Sequence, residues 1–325
     1  MPQVIDFHAH VLEEECLRQA QGKTVLSGYG ANPASVTRAA NDVTRQKMLD
    51  PALQIADMAR MGVDRSVISV STVIQGTSWA DPQTDAALNR RSNDRVAEWC
   101  TLHPDRFVGS FTLPLQDVDA SLKETERAVN QLGLRVANLC AQYQGAYLGD
   151  ARYRPFWEAA NNLGIVVWIH PDGTRDLWFQ KFGMWNSIGQ SIEEVKVMAS
   201  IIYEGIVETW PSLKIVMAHG GGYFPHYMGR MDRNVTNRPD SMQNITRKPS
   251  DYLRAFYYDT CVYDPEVLAT LIRRVGADRL VMGSDYPVGD NDPVASVRAT
   301  PGISASEVAM MTGGTAERLL GVAAR

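Results

Sequence analysis

Short apolar runs alternate along the chain with longer segments in which apolar and polar residues mix at helical spacing. Most of the short runs are almost continuously apolar, which is typical of parallel strands covered by helices. We predict strands at residues 3–8, 65–71, 107–112, 135–140, 164–170, 213–219, 256–261 and 278–285. We predict helices between them, at residues 51–62, 82–102, 119–132, 152–163, 191–209 and 264–275. Asp-Pro pairs at 50–51, 81–82 and 264–265 each place a capping side chain before a proline that begins a helix.

Strands that alternate with helices in this way predict an α/β fold, a (β/α)8 TIM barrel. A doubly wound open sheet is the alternative, but no Gly-x-Gly-x-x-Gly sequence follows the first strand. Residues 11–49 are too long for a simple connection, so we expect an insertion over the C-terminal mouth of the barrel. Residues 171–190 and 232–250 also look irregular. Because nothing resembles a linker, we predict a single domain over residues 1–325.

Composition narrows the class of protein. Apolar residues make up 45% and charged residues 21%, as in globular proteins with a large core, and the formal charge of -5 disfavours nucleic acid or an anionic membrane as a partner. We see neither a signal peptide nor an apolar run of the ~18 residues that a membrane span needs. The four cysteines are scattered without a Cys-x-x-Cys pair, so we expect reduced thiols and a cytoplasmic protein.

Histidines gather at the predicted strand ends. His8 and His10 end the first strand, where positions i and i+2 share a face. His170 ends the fifth strand, His219 the sixth, and Asp285 the eighth. Because the carboxyl ends of parallel barrel strands meet at one face, these side chains are predicted to converge there. A single buried histidine is more often part of a core than a ligand. A purely structural role is much less expected for four histidines and an aspartate that all lie at strand ends.

These motifs resemble the amidohydrolase superfamily, in particular the amidohydrolase-related family 2 with its metal-dependent decarboxylases. The resemblance rests on Ile-Asp-Phe-His-Ala-His at 5–10, Ile-His-Pro at 169–171, Met-Ala-His-Gly-Gly-Gly-Tyr-Phe-Pro at 217–225 and Gly-Ser-Asp-Tyr-Pro at 283–287. Within that branch the chain is most similar to the α-amino-β-carboxymuconate-ε-semialdehyde decarboxylases, since Arg-Pro-Asp follows at 238–240.

The resemblance implies roles for three substrate-binding residues. Arg238 would reach across a homodimer interface, or that of a higher homo-oligomer, to hold a substrate carboxylate, and Trp185 would lie in the pocket. Arg45 is near the position of a second carboxylate-binding arginine but is out of register with it. The chain also departs from the family pattern with Asp172 after His170-Pro171 and with Val288 after Tyr286-Pro287.

The cluster suits a single divalent metal, Zn²⁺ first, with Mn²⁺ or another divalent ion as alternatives. We assign His8, His10, His170 and Asp285 as its ligands, because three imidazoles and one carboxylate suit zinc. The metal would lower the pKa of a bound water, and His219 and Asp285 would act as acid and base. The predicted function is therefore the decarboxylation of a small unsaturated or aromatic carboxylic acid.

Two other functions stay open at this point. The same centre could hydrolyse or hydrate a substrate, as a metal-dependent hydrolase or hydratase of the superfamily. A protein that binds metal without catalysis ranks lower, because no member of the ligand set is missing.

Overall fold

The computed structural model describes residues 3–24 and 38–322 of the 325-residue chain. Within these ranges eight strands form one sheet, and every hydrogen-bonded pair of neighbours is parallel and follows sequence order. The strands are β1 (Ile5–Val11), β2 (Arg65–Val70), β3 (Phe107–Phe111), β4 (Val136–Leu139), β5 (Val166–Ile169), β6 (Lys214–Met217), β7 (Phe256–Asp259) and β8 (Leu280–Val281).

The first strand and the last strand close the sheet into a barrel. The backbone N–H of Phe7 donates to the carbonyl of Met282 at 2.7 Å, and Ala9 forms a parallel bridge with Tyr286. Helices cover the outside, which confirms the (β/α)8 prediction. The open doubly wound alternative is wrong, because such a sheet would leave its edge strands unpaired.

The helices occupy the connections and the last part of the described chain. They are α1 (Glu14–Ala20), α2 (Arg38–Leu49), α3 (Pro51–Met61), α4 (Thr72–Gln75), α5 (Pro82–Leu102), α6 (Val118–Asn130), α7 (Arg154–Leu163), α8 (Gln190–Tyr203), α9 (Ile206–Thr209), α10 (Met228–Asn237), α11 (Pro265–Val275), α12 (Pro293–Arg298), α13 (Ala305–Ala309) and α14 (Thr315–Leu320). The carboxylates of Asp50, Asp81 and Asp264 accept backbone N–H groups of α3, α5 and α11, which confirms the predicted caps. No helix in the described ranges is both long enough and apolar enough to cross a bilayer.

The core consists of two apolar layers. One fills the barrel and includes Phe7 and Trp168, whose ring centroids lie 5.8 Å apart, and the other lies between the strands and the surrounding helices. Trp168 is fully buried and lies 4.9 Å from the ring of His8. The apolar interior therefore packs directly against the predicted histidine cluster.

Two predicted segments differ from the structure. Residues 11–49 are not simply irregular, because they contain α1 and α2, while residues 25–37 of that insertion lie outside the described residues. Of the predicted strand 278–285, only Leu280–Val281 form a regular strand, which pairs with β7, and the chain then contacts β1 at the separate positions Met282 and Tyr286. Between these two positions the backbone departs from the regular strand. There the backbone N–H and the hydroxyl of Ser284 donate to the carboxylate of Asp6 at 3.0 and 2.6 Å. This turn releases the next residue, Asp285, from the regular pleat.

Candidate metal centre

His8 and His10 point into one space at the mouth of the barrel. Both lie in β1, whose residues are all buried, and their Nε2 atoms are 3.2 Å apart with the rings at 87°. The i, i+2 spacing on a strand produces this arrangement, as the sequence predicts. Two imidazole nitrogens at this separation are directed at a common point.

Asp285, which follows the neighbouring strand β8, and His170, which follows β5 across the barrel, complete the cluster. Oδ1 of Asp285 is 3.3 Å from Nε2 of His8 and 3.1 Å from Nε2 of His10. The ring of His170 lies 4.9 Å from that of His8 and 5.0 Å from that of His10, by centroids. One ligand atom from each of the four residues lies within 4.8 Å of the others. The structure therefore brings together the four side chains that the sequence assigns to a metal.

The outer nitrogens of two of these histidines are held by other groups. Nδ1 of His8 is 2.7 Å from Oδ2 of Asp259, whose other oxygen accepts the backbone N–H of Gly220 and of Cys261. Nδ1 of His170 is 2.8 Å from the carbonyl of Pro171, which can only accept, so Nδ1 carries the proton. This tautomer leaves Nε2 of His170 with a free lone pair, as a metal ligand requires.

The electrostatics of the cluster favour a positive charge at its centre. Burial lowers the pKa of His8, but Asp285 and Asp259 outweigh it and raise that pKa to about 10. Burial also lowers the pKa of His10, and it lowers that of His170 well below the ordinary value, with further lowering by the other histidines. Burial alone would raise the pKa of Asp285, but His8 and His10 hold it well below its usual range. Three imidazoles and an ionised carboxylate at these distances fit a divalent cation.

His219 lies beside this group and not within it. Its ring centroid is 5.3 Å from that of His8 and 5.1 Å from that of His170. Nδ1 of His219 is 2.5 Å from Oε1 of Glu194, a fully buried residue of α8. Burial raises the pKa of Glu194 to about 7, whereas burial lowers the pKa of His219 but Glu194 outweighs it and raises that pKa. The arrangement suits a residue that exchanges protons next to the cluster.

A cavity of about 800 Å³ opens from the cluster. His219 and Asp285 line its inner side, and Asn186 and Gln190 line another wall. Tyr263 also lines it, and its hydroxyl donates to Oδ2 of Asp285 at 3.1 Å. This volume is within the range of small-molecule sites, so the cavity can hold a small molecule beside the four clustered side chains.

The three predicted substrate-binding residues lie outside the lining of this cavity, as far as the described residues define it. Arg238 is exposed just beyond α10 and its guanidinium donates to Asn234. Trp185 is half-buried, and the two residues after it, Asn186 and Ser187, reach the cavity. Arg45 is half-buried on α2. Within one chain, the structure therefore brings together the four residues predicted to bind the metal, but it does not place the three predicted substrate-binding residues in the cavity.

Sequence reasoning missed three residues of the site. Asp259 ends β7, so the strand-end rule that found His170 and His219 could also have found it. Glu194 lies inside α8 and Tyr263 in a loop, and no pattern in the sequence sets either apart. Tyr263 has a φ of 56°, a conformation that is costly for a bulky residue and is enriched at functional sites.

Known proteins are similar to this chain over most of its length. A family model described as Amidohydrolase matches residues 5–322. The 2-amino-3-carboxymuconate-6-semialdehyde decarboxylase of Dictyostelium discoideum is 31% identical over 278 residues, which cover 84% of this chain and 77% of that relative.

Two solved structures share the whole architecture. The 5-carboxyvanillate decarboxylase of Sphingomonas paucimobilis has a TM-score of 0.87 and 26% identity, with 99% of this chain and 100% of that chain covered. A dihydroxybenzoic acid decarboxylase of Polaromonas sp. JS666, solved with bound manganese and the inhibitor 2-nitroresorcinol, has a TM-score of 0.86 and 25% identity, with 99% and 98% covered.

Proposed function

This chain belongs to the amidohydrolase family, and from that premise we propose that it is a metal-dependent decarboxylase of a small unsaturated or aromatic carboxylic acid. The observation that carries the proposal is the group formed by His8, His10, His170 and Asp285, with ligand atoms within 4.8 Å of one another at the edge of a substrate-sized cavity. Relatives of the whole chain that are named decarboxylases support the reaction type.

We assign these four residues to one divalent cation. Zinc is our first choice because it accepts three imidazoles and a carboxylate, and manganese is the alternative because a relative holds it. When bound, the cation would act as a Lewis acid on the substrate oxygens and would lower the pKa of a coordinated water. Asp259 supports the set by fixing the ring of His8 through Nδ1.

Side chains of the protein would carry out the proton transfers of the reaction. Loss of CO2 breaks one carbon–carbon bond and leaves its electron pair on the substrate carbon, which must gain a proton. Because Glu194 engages Nδ1 of His219, Nε2 is the nitrogen available to deliver that proton. Asp285, at the inner side of the cavity, is the second proton-handling group. The net change at the carbon is the replacement of CO2 by a proton.

The cysteines support a cellular location for the enzyme. Cys16, Cys100, Cys140 and Cys261 are all free thiols, three of them buried. Unpaired cysteines fit a reducing compartment, and we place the enzyme in the cytoplasm.

The reaction type is tested by measuring CO2 from a panel of acids. The metal-loaded protein is incubated with carboxylated muconate semialdehydes and with hydroxybenzoates, and both CO2 and remaining substrate are quantified. We expect one CO2 for each substrate molecule consumed. Consumption without CO2 would instead identify a hydrolase or hydratase, and no turnover of any acid by the loaded protein would support a binding protein.

A homodimer with a shared site is the second part of the proposal. Arg238 is exposed and lies outside the cavity lining of its own chain, as an anchor for the substrate carboxylate of a second copy would. A guanidinium can hold that carboxylate by two parallel hydrogen bonds. The shared arrangement would supply a cation to a cavity whose lining includes the carboxylates of Asp264 and Glu266.

Mixing two inactive variants tests this sharing. In a hybrid of Arg238→Ala and His219→Ala chains, one of the two sites combines an intact His219 with an intact Arg238. Random exchange makes about half of the dimers hybrid, so we expect about a quarter of the parental kcat in a symmetric dimer. Two affinity tags verify that exchange has occurred. Activity that stays at the level of the separate variants after verified exchange would contradict a shared site.

A further inference from the structure

Glu194 occupies an unusual position for a carboxylate. It is fully buried on α8, and its Oε1 lies 2.5 Å from Nδ1 of His219. Its other oxygen, Oε2, is also buried and has no hydrogen-bond partner among the described residues. Burying a carboxylate with a single partner is costly, so a sequence selected for stability alone would favour an apolar residue at this position. This cost indicates that the contact with His219 serves another purpose.

The backbone around His219 is shaped to admit this carboxylate. Gly222, at a φ of +61°, passes so close to α8 that an added Cβ would lie 2.7 Å from Oε2 of Glu194 and 2.5 Å from the carbonyl of Ser191. Any other residue at 222 would push the loop and the helix apart. The glycine run after β6 therefore does more than turn the chain, because it lets Glu194 reach the histidine.

We propose that Glu194 is a positioning residue that keeps a proton on Nδ1 of His219 and thereby directs the lone pair of Nε2 into the cavity. The inference rests on the proposed function, in which His219 transfers a proton to the substrate. A carboxylate accepts the Nδ1–H bond, so the neutral ring adopts the tautomer that can take up a proton at Nε2. The same carboxylate stabilises the imidazolium that forms when Nε2 is protonated.

Glu193, the preceding residue, provides a matched comparison. It is also buried, and its carboxylate pairs with Lys196 at 2.7 Å and accepts the hydroxyl of Tyr147 at 2.8 Å. Neither Lys196 nor Tyr147 belongs to the group of four proposed metal ligands. Glu193→Gln therefore removes a buried carboxylate from the same helix while leaving His219 untouched.

Glu194→Gln is the first test, carried out on the metal-loaded enzyme with its best substrate. Glutamine keeps the size of the side chain but loses the charge, and it can donate to Nδ1 instead of accepting from it. We expect kcat to fall about 10- to 100-fold, as for other groups that orient a reacting histidine, with KM and metal content near the parental values. Glu193→Gln should keep the parental kcat. Equal kcat values for the two variants, each corrected for folded protein, would overturn the proposal.

A spectroscopic test needs neither a variant at position 194 nor turnover. In the zinc-loaded parent protein with ¹⁵N-labelled histidine, the ring of His219 is assigned by its absence from the His219→Ala spectrum. We expect a directly bonded proton on Nδ1 of His219 at every pH. A proton on Nε2 alone would overturn the proposal even if Glu194→Gln does not fold. Because this measurement is independent of catalysis, it distinguishes failure of this inference from failure of the decarboxylase assignment.

Discussion

Replacing Asp285 by alanine is expected to abolish both metal binding and decarboxylation. Oδ1 of Asp285 lies within 3.3 Å of Nε2 of His8 and of His10, so its loss removes the only carboxylate from the four-residue ligand group. His8→Ala should have the same double effect, because His8 also belongs to the group. The affinity for zinc should fall by more than the ~10- to 100-fold that loss of a supporting residue causes. Metal analysis after dialysis and the kcat measured in parallel check both results.

Controls separate loss of the ligand from general damage to the fold. Asp94→Ala removes an exposed aspartate that pairs with Arg127 on the outside of the barrel, so it should keep both metal and activity. The parent protein treated with a chelator should lose activity and regain it when zinc or manganese is restored. The ligand assignment is wrong if Asp285→Ala retains a full equivalent of tightly bound metal, or if the fully stripped parent stays active.

The convergence of the four proposed ligands could be predicted because it depends on topology and not on detailed packing. His8 and His10 share a face through the period of the strand, and His170 follows a strand whose apolar run is easy to recognise. In a parallel barrel every strand delivers its C-terminal end to the same mouth, so distant segments meet without any further information. The same rule applies to Asp285, although its strand was predicted too long.

The contacts around the ligands could not be predicted because they depend on the spacing between elements. Glu194 reaches His219 only through the close approach of α8 to the loop at Gly222, and no single segment encodes that approach. Tyr263 contacts Asp285 because its backbone adopts a left-handed conformation. A tyrosine rarely adopts this conformation, so the sequence does not predict it. Arg238 would be a third case under the proposed shared site, because the packing within one chain cannot show a contact made with another copy.

His219→Ala is expected to separate binding from chemistry. His219 lies next to the four-residue ligand group but is not a member of it, so the variant should retain about one metal ion per chain, like the parent. It should nevertheless lose the group that we propose delivers a proton to the substrate carbon, and kcat should fall by about 10²- to 10⁴-fold. KM should change little, because the cation and the cavity walls still hold the acid. Steady-state kinetics and metal analysis on the same preparation measure both quantities.

A second histidine serves as the control for this separation. His103 directly follows α5 and precedes β3, at the end of the barrel away from the mouth, and its ring centroid lies 5.9 Å from that of Phe107. His103→Ala should therefore keep the parental kcat and metal content. If His219→Ala loses its metal while His103→Ala does not, His219 is a ligand, and the proton must come from another group at the mouth. The hydroxyl of Tyr263 would then become the first candidate for the proton donor. Tyr263 lines the cavity, and its hydroxyl donates a hydrogen bond to Oδ2 of Asp285.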